Sequence, residues 1–401
     1  MGPRAVGAGL CLLMAHGLRA EWTLEVVNGA CAHTNWVVHQ AVTREWARSA
    51  PACGLVELSE RGVSPVPCAL DASGAAPVLT WLMPGATAPD ATRRFAWVPQ
   101  PARADALSDL SVCETPSGIV VSNGFFRLTH PARGGGGFPR EIAYGTSGRA
   151  DPDLFFYDRL VRPRATGPGL VSYCAKECEQ AESRVVFRSP LRVTVEVRTG
   201  YGRQAAETPG RPQAVYRYVY SAQSPVVEVD AQCTRDDDGP WRELHFLHLS
   251  RATRGYAAFV AGDPASATPL QAKGARSRSV SGAQWLVMSD DRNACGVGFG
   301  GAFGWDASDE FVYYVRRSCV PWLGRAQSFS GGLYFGPSGD ASWYSGWLGR
   351  GRRPEVRIVR DGKAWSPVER EPLAGPFELE GRGQRVVFGG AEEGFDCLGI
   401  E

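Results

Sequence analysis

Apolar and polar residues alternate with a period of two along much of this chain, and that pattern restricts the fold more than any other feature. In residues 191–198 the first and every second residue is Leu or Val, and the residues between them are Arg, Thr, Glu and Arg. Such alternation is typical of β-strands that bury one face. Further strand-like runs are predicted at residues 22–27, 78–82, 94–98, 225–231, 284–288, 311–315, 355–359 and 385–388.

Local turn signals agree with a β-rich fold. Asn123 and Gly124 separate two apolar runs, as in a two-residue β-hairpin, and four consecutive glycines at 134–137 predict a flexible loop. Helical periodicity is nearly absent, and the ambiguous residues 35–49 contain a Val37–Val38 pair that favours a strand. We therefore predict an all-β protein with antiparallel sheets.

The pattern weakens near residues 100–117, which suggests a domain boundary there. We expect a small N-terminal β-domain over residues 21–110 and a large antiparallel β-supersandwich over residues 111–401. The chain contains no fixed-period repeat, which argues against a propeller or a solenoid.

Residues 1–20 have the features of a secretory signal peptide. Arg4 precedes an apolar run over residues 5–15, and the small residue Ala20 follows. The run is too short to cross a bilayer, so we expect a secreted or periplasmic protein with no membrane span after signal removal; a buried N-terminal helix is the alternative. Ten cysteines would remain, an even number that permits disulfides, although buried free thiols fit equally well.

Charge and motifs argue against several partners. The 43 basic and 42 acidic residues leave a formal charge of +1, which provides no electrostatic basis for binding nucleic acid. Cys174 and Cys178 have no second cysteine pair at zinc-site spacing. Residues 296–301 match GxGxxG without a helix after them, and residues 236–239 lack the remaining ligands of a calcium loop. We expect no metal and no cofactor, and the sequence identifies no protein partner.

Several short motifs together resemble a known group of proteins. They are VSNGFFRL at 121–128, GFPREI at 137–142, YDRL at 157–160, YRYVY at 216–220 and SPVVEV at 224–229. They resemble strands of galactose-mutarotase-like supersandwich proteins of the polysaccharide lyase (rhamnogalacturonan-lyase-like) type. Residues 66–70, 80–82 and 85–95 are similar to the small β-domain that precedes the sandwich. The resemblance implies a carbohydrate-active protein with a polysaccharide or oligosaccharide partner, without the α/α toroid of many such lyases.

The segment 236–249 contains the best candidates for catalysis. On a regular strand Trp241, Glu243 and His245 would share one face, whereas Arg242 and His248 would lie on the other. The two histidines would then point apart, which argues against a shared metal. Histidine suits proton transfer near neutral pH, and the nearby carboxylate of Glu243 could raise its pKa. Alternatively, His245 is a sheet residue with a satisfied hydrogen bond.

Tyrosines 216, 218 and 220 form a stripe on one strand face. Such a stripe stacks on sugar rings, supplies a phenolic acid or base, or packs within the sheet, and packing is the common outcome. Arginine can bind a carboxylate through two hydrogen bonds. The predicted catalytic residues are His245, Tyr218, Arg242 and Glu243, and the predicted substrate-binding residues are Asn123, Tyr157, Arg159, Trp241 and Tyr220.

These features favour β-elimination on acidic, uronate-containing glycans. This reaction needs a base near the C5 proton and a positive or hydrogen-bonding group at the uronate carboxylate. One alternative is a noncatalytic glycan-binding or structural module of a surface polysaccharide system. Another is a glycoside hydrolase, which would need two facing carboxylates roughly 5–10 Å apart; Glu243, Asp158 and Glu228 are available.

Overall fold

The structure, a computed structural model, describes most of the chain between residues 22 and 365. The described ranges are 22–29, 31–49, 53–73, 76–99, 108–145, 148–239, 241–251, 256, 258–262, 267–271, 278–280, 283–298, 305–308, 313–317, 320–322, 324–349, 354–360 and 363–365. The predicted signal peptide and the predicted strand at 385–388 lie outside them.

The described residues form two compact units, of which the first includes residues 22–99 and 354–365. Its elements in the N-terminal part are β1 Trp22–Val27, β2 His33–Ala41, α1 Arg44–Ser49, β3 Cys53–Ser59, β4 Gly62–Val66, β5 Cys68–Asp71, β6 Val78–Thr87 and β7 Thr92–Pro99. The ambiguous residues 35–49 are thus divided between the second part of β2, up to Ala41, and the short helix α1.

The second unit contains the larger part of the chain, from Asp109 to Arg188 and from Arg192 to Arg350. Its elements are β8 Ser111–Thr115, β9 Gly118–Ser122, β10 Phe126–Pro131, β11 Arg140–Tyr144, β12 Leu154–Phe156, β13 Arg159–Pro163, β14 Leu170–Cys174, β15 Glu182–Arg188, β16 Arg192–Gly200, β17 Gln213–Ser221, β18 Val226–Thr234, β19 Trp241–His245, β20 Leu249–Arg251, β21 Ala258–Gly262, β22 Ala267–Gln271, β23 Arg278–Val280, β24 Trp285–Ser289, β25 Asn293–Gly298, β26 Trp305–Ser308, β27 Tyr313–Arg317, β28 Val320–Trp322, β29 Ala326–Pro337 and α2 Ala341–Leu348. The prediction of an all-β fold is confirmed.

Two C-terminal strands, β30 Glu355–Arg360 and β31 Lys363–Trp365, belong to the first unit. β30 pairs antiparallel with β1 and extends a six-stranded sheet of order β31-β30-β1-β7-β3-β4. The sequence placed these strands in the large domain because local patterns do not show which distant strand completes a sheet. The expected boundary at residue 110 lies close to the division observed at Ser108.

The second unit is built around a nine-stranded sheet of order β15-β16-β17-β18-β29-β25-β24-β21-β22. Two smaller sheets, β14-β13-β19-β28 and β12-β20-β27-β26-β23, contain the strands that matter for the candidate site. Val193, Val195 and Val197 of β16 belong to the main hydrophobic core, as their alternation predicts. On the other face, Glu196 is also buried but forms salt bridges with three arginines, Arg184, Arg198 and Arg217.

The predicted hairpin is present between β9 and β10, where Ser122 faces Arg127. Asn123 supports the turn itself. Its Nδ2 donates to Ser221 O (3.2 Å) and Ser224 O (2.8 Å), and its Oδ1 accepts from the backbone of residues 125 and 126. Both polar ends of this amide are engaged in the turn, which Asn123 therefore stabilises.

Seven cysteines within the described ranges are free thiols, so none of these seven forms a disulfide here. They are Cys31, Cys68, Cys113, Cys174, Cys178, Cys233 and Cys295. The last four are buried and fill space as small apolar residues. In the same part of the chain, every helix is too short or too polar to cross a bilayer.

Candidate functional site

Strand pairing assembles four of the predicted site residues. β13 pairs antiparallel with β19, and Arg159 lies opposite His245. One residue beyond the end of β12, Tyr157 N donates to His248 O at 2.8 Å. Tyr157, Arg159, Glu243 and His245 therefore lie in one neighbourhood of the second unit, which we call the cationic cluster together with His248, Lys176 and Arg316.

His245 and His248 contact each other, so the prediction that they point apart is wrong. Their Nδ1 atoms are 3.4 Å apart, and their rings stack with centroids 5.6 Å apart and planes 17° from parallel. β19 ends at His245, and Leu247 has a left-handed backbone with φ of 52°. This turn interrupts the alternation of a regular strand and carries His248 back to the side of His245.

Hydrogen bonds assign the tautomer of His245. Its Nε2 lies 2.9 Å from Glu243 Oε2, and its Nδ1 contacts Arg316 Nη1. A guanidinium can only donate, so Nδ1 accepts from Arg316 and Nε2–H donates to Glu243. This arrangement requires a neutral imidazole with its proton on Nε2.

The pKa values agree with a neutral His245 beside an ionised Glu243. Burial and then the positive charge of Arg316 lower the pKa of His245 to about 4, although the hydrogen bond with Glu243 acts to raise it. The expected increase is therefore wrong in sign, because burial and arginine outweigh the carboxylate. Burial acts to raise the pKa of Glu243, but the bond to His245 and the charges of Arg159 and Arg316 lower it overall.

Arg159 and Arg316 act electrostatically on this pair, and a third cation, Lys176, lies against two neighbouring aromatic rings. Lys176 Nζ lies 4.5 Å from the ring centroid of Phe155 and 4.4 Å from that of Tyr157, and Arg159 Cζ lies 5.2 Å from the Tyr157 centroid. Arg159 Nε is buried and meets no acceptor among the residues that the structure describes. An unpaired buried donor in a cationic cluster suits an anionic ligand.

Lys176 is positioned by the glycine loop, which is closely packed where the sequence predicted flexibility. Residues Gly135–Gly137 form a 3-10 turn, and Gly136 N donates to Cys178 O at 3.3 Å. A Cβ on Gly136, where φ is +67°, would lie 2.5 Å from Ala175 O. The loop therefore packs against the backbone of the short 3-10 turn Ala175–Glu177 that carries Lys176.

The buried carboxyl of Asp158 hydrogen-bonds to the backbone of the cationic cluster at His248. Its Oδ1 accepts from His248 N at 2.8 Å, and its Oδ2 accepts from the Tyr216 hydroxyl at 3.1 Å. Burial raises the pKa of Asp158 to about 7, although these hydrogen bonds act to lower it. This carboxyl orients the turn at His248 and is itself enclosed.

Buried histidines make the stability of the second unit dependent on pH. Burial lowers the pKa of His130 to about 4, and the pKa values of His245 and His248 are also lowered, so the unfolded chain binds more protons than the folded one between about pH 4 and 6.5. The raised pKa of Asp158 opposes this effect, because there the folded state binds the extra proton. Three histidines outweigh one carboxyl, and the shifts of His130 and His245 to about 4 are each worth roughly 3 kcal/mol.

We therefore expect the free energy of unfolding to fall as the pH decreases from about 6.5 to 4, as measured by urea unfolding at several pH values. The variant Asp158→Asn removes the opposing group and should make this loss steeper. Equal stability of the wild-type protein at both ends of the range would contradict the assignment of neutral buried histidines.

Four predicted site residues occupy other environments. Tyr218 and Tyr220 are buried in the hydrophobic core with Tyr216, and the Tyr220 hydroxyl lies 2.5 Å from His130 Nε2. Trp241 is buried edge-on against Tyr173, with ring centroids 5.6 Å apart. These three side chains pack and are not presented to a substrate. Arg242 is exposed, and since it follows Trp241 on β19 it points away from that buried side chain.

Arg316 and Lys176 belong to the cationic cluster but were not among the residues predicted from the sequence. Arg316 lies on β27, which pairs with β20 so that Val315 faces Leu249. Nothing in the local sequence distinguishes Arg316 from the many other arginines, and its role follows only from this distant pairing. For metals, the described ranges contain no group of three or more His, Cys, Asp or Glu residues arranged to hold an ion.

Comparisons with known proteins identify the fold alone. No protein-family profile matches the sequence, and no curated protein matches it. Among solved structures, it is similar to an alpha-mannosidase from Enterococcus faecalis V583, with a TM-score of 0.56 and 10% identity over 84% of this chain and 46% of that one. A second similar structure is a protein in the glycosyl hydrolase family 38 from Enterococcus faecalis, with a TM-score of 0.56 and 9% identity over 86% of this chain and 48% of that one.

The chain thus spans about half the length of these two structures. The shared feature is a β-rich fold that occurs in carbohydrate-active proteins, and nothing in the similarity is specific to polysaccharide lyases. What the protein does must therefore be argued from its own residues.

Proposed function

We propose that this is an exported carbohydrate-active protein that binds uronate-containing glycans at the cationic cluster and cleaves them by β-elimination. One observation carries the proposal. A neutral histidine, His245, is held between the carboxylate of Glu243 and the guanidinium of Arg316, with Arg159 opposite it. A neutral base beside fixed positive charge is what proton removal next to a carboxylate requires.

In this mechanism Arg316 and Arg159 bind the uronate carboxylate, and the movement of Arg316 toward it frees Nδ1 of His245. Nδ1 then takes the C5 proton, and the electron pair forms the C4–C5 double bond as the C4–O bond breaks. The positive charges of Arg316 and Arg159 stabilise the negative charge that develops on the uronate carboxylate when the C5 proton is removed.

The departing oxygen takes a proton from the Tyr157 hydroxyl, which stays protonated near neutral pH because burial raises its pKa. Proton exchange with solvent then restores His245 and Tyr157. The products are a shortened glycan and an unsaturated uronate end.

A noncatalytic glycan-binding module is the second candidate, and a specific observation favours it. The side chain of His245 is only 1% exposed, against 26% for Glu243, and Arg316 occupies the acceptor nitrogen of the base. If Arg316 does not move, the cluster can hold an anion through its cations but cannot abstract a proton.

The geometry of the cationic cluster supports hydrolysis less than it supports elimination or binding. A hydrolase needs two carboxylates that face one sugar, and Glu243 is available on β19. Asp158, however, is buried with both oxygens occupied by His248 N and Tyr216. Glu228 lies on β18, in the nine-stranded sheet, whereas Glu243 belongs to the sheet β14-β13-β19-β28.

The test is to incubate the full chain with polygalacturonate, alginate and a uronate-rich glycosaminoglycan, with neutral dextran as the control. Ultraviolet absorbance reports the unsaturated product, a reducing-end assay reports all cleavage, and affinity gels report binding. Absorbance that rises with a uronate polymer and not with dextran is the expected result. New reducing ends without a rise in absorbance would show that the protein hydrolyses the glycan and does not eliminate. Retarded migration in the gel without any cleavage would support the noncatalytic binding module.

A further inference from the structure

A cavity of about 240 Å³ lies in the second unit, apart from the residues of the cationic cluster. Its wall includes Tyr144 at the end of β11, Arg251 at the end of β20 and Asn293 at the start of β25. None of the residues that line it has a role in the proposed elimination. The volume is below the range of pockets for drug-sized ligands, about 300–1,000 Å³, and suits one sugar ring.

Arg251 is held in place at this cavity from two sides. Its Nε donates to Asp151 Oδ2 at 2.8 Å, and its Cζ lies 5.0 Å from the ring centroid of Tyr256. Its two terminal nitrogens meet no acceptor within the described part of the chain. A guanidinium fixed on one edge, with its other donors available, is arranged to bind a planar carboxylate.

A second polar group at the wall, the carboxylate of Asp290, can accept hydrogen bonds, whereas Arg251 donates them. Asp290 Oδ1 accepts from the backbone N–H groups of Arg292 and Asn293, at 2.7 Å each, so the carboxylate is fixed. Its Oδ2 has no donor among the described residues. A fixed carboxylate oxygen of this kind accepts a hydrogen bond from a hydroxyl group of a ligand.

The wall contains two further charged side chains, Arg149 and Asp151, and its remaining part is neutral and closely fitted. The hydroxyls of Tyr144 and Tyr256 are hydrogen-bonded to each other, and Tyr256 also contacts Cys295 Sγ at 3.1 Å. Gly145 has φ of +65°, and a Cβ there would overlap with Asn293 Oδ1. The missing side chain lets the Asn293 amide pack directly against the backbone that follows Tyr144.

We propose that this cavity is a second binding site, which takes a single uronate ring. The carboxylate would pair with the terminal nitrogens of Arg251, a ring hydroxyl would donate to Asp290 Oδ2, and the tyrosines would contact the ring. The ligand class rests on the proposed function, which is directed at acidic glycans, but occupation of this cavity requires no cleavage.

The test is calorimetric titration of the full chain with galacturonate and, as a matched neutral ligand, galactose. We expect galacturonate to bind at least tenfold more tightly than galactose. Because the cationic cluster is also proposed to bind a uronate carboxylate, the titrations are repeated in a protein that carries Arg159→Gln. In this background Arg251→Gln should weaken galacturonate binding at least tenfold. Should Arg251→Gln fail to fold, Asp290→Asn provides the second variant and should weaken both ligands severalfold.

Absence of galacturonate binding to the Arg159→Gln protein, or equal affinity of that protein with and without Arg251→Gln, would overturn the proposal. Its failure can be distinguished from that of the proposed function. His245→Gln should lower the rate of elimination by about 10²–10⁴ and retain galacturonate binding, and Arg251→Gln should retain elimination on polymers.

Discussion

Replacement of His245 by glutamine is expected to lower the rate of elimination by about 10²–10⁴, the usual contribution of a positioned general base. Glutamine can still donate to Glu243, from which His245 Nε2 lies 2.9 Å, so the fold of β19 should be retained. The measurement is kcat/KM from ultraviolet absorbance on a uronate polymer, with thermal unfolding as a check of the fold.

Arg242→Ala is the matched control on the same strand. Because Arg242 is exposed and follows the buried Trp241, its loss should change kcat/KM by no more than a small factor. A large loss in Arg242→Ala, together with a small one in His245→Gln, would show that the base is misassigned.

The pH profile gives an independent readout of the same assignment. Since the pKa of His245 is about 4, the neutral base is present at all higher pH values, and kcat/KM should fall only when the pH drops toward 4. Arg316 lowers this pKa, so Arg316→Gln should move the acid limb of the profile to higher pH. A limb that does not move would contradict the contact between Arg316 and the imidazole.

Replacement of Gly136 by alanine should lower the free energy of unfolding by about 3 kcal/mol. This loss is the sum of the cost of placing a side chain on a left-handed backbone and the cost of overpacking. The added Cβ would lie 2.5 Å from Ala175 O, and backbone atoms cannot move aside cheaply. Urea unfolding measures the loss. Gly167→Ala is the control, because φ there is +74° and nothing lies within 4 Å of the added Cβ.

The control should lose only the backbone cost, about 1 kcal/mol, so the difference between the two variants isolates the contact with Ala175. Gly136→Ala should also shift the turn that carries Lys176, and therefore raise KM for a uronate polymer. Equal stability losses in both variants would mean that the glycine loop is loose, as its sequence alone suggested.

The cationic cluster shows which residues of a site can be predicted from local sequence patterns. Arg159 was predicted from the resemblance of residues 157–160 to a known family, and Glu243 and His245 were predicted from the strand period of segment 236–249. The pairing of β13 with β19 brings the three together. Tyr218 and Trp241 were chosen by the same reasoning and are buried. An alternating pattern identifies two faces of a strand, but it does not tell which face is enclosed when sheets cover both sides.

The sequence by itself determined the all-β class, the positions of part of the strands and the hairpin at Asn123, because side-chain alternation and turn preferences act between residues close in the chain. The tertiary structure alone decided the rest. Arg316 reaches His245 across 71 residues of sequence, and the left-handed Leu247 turns His248 toward it. Burial and neighbouring charges, which exist only in the folded protein, lower the pKa of His245 and raise that of Asp158.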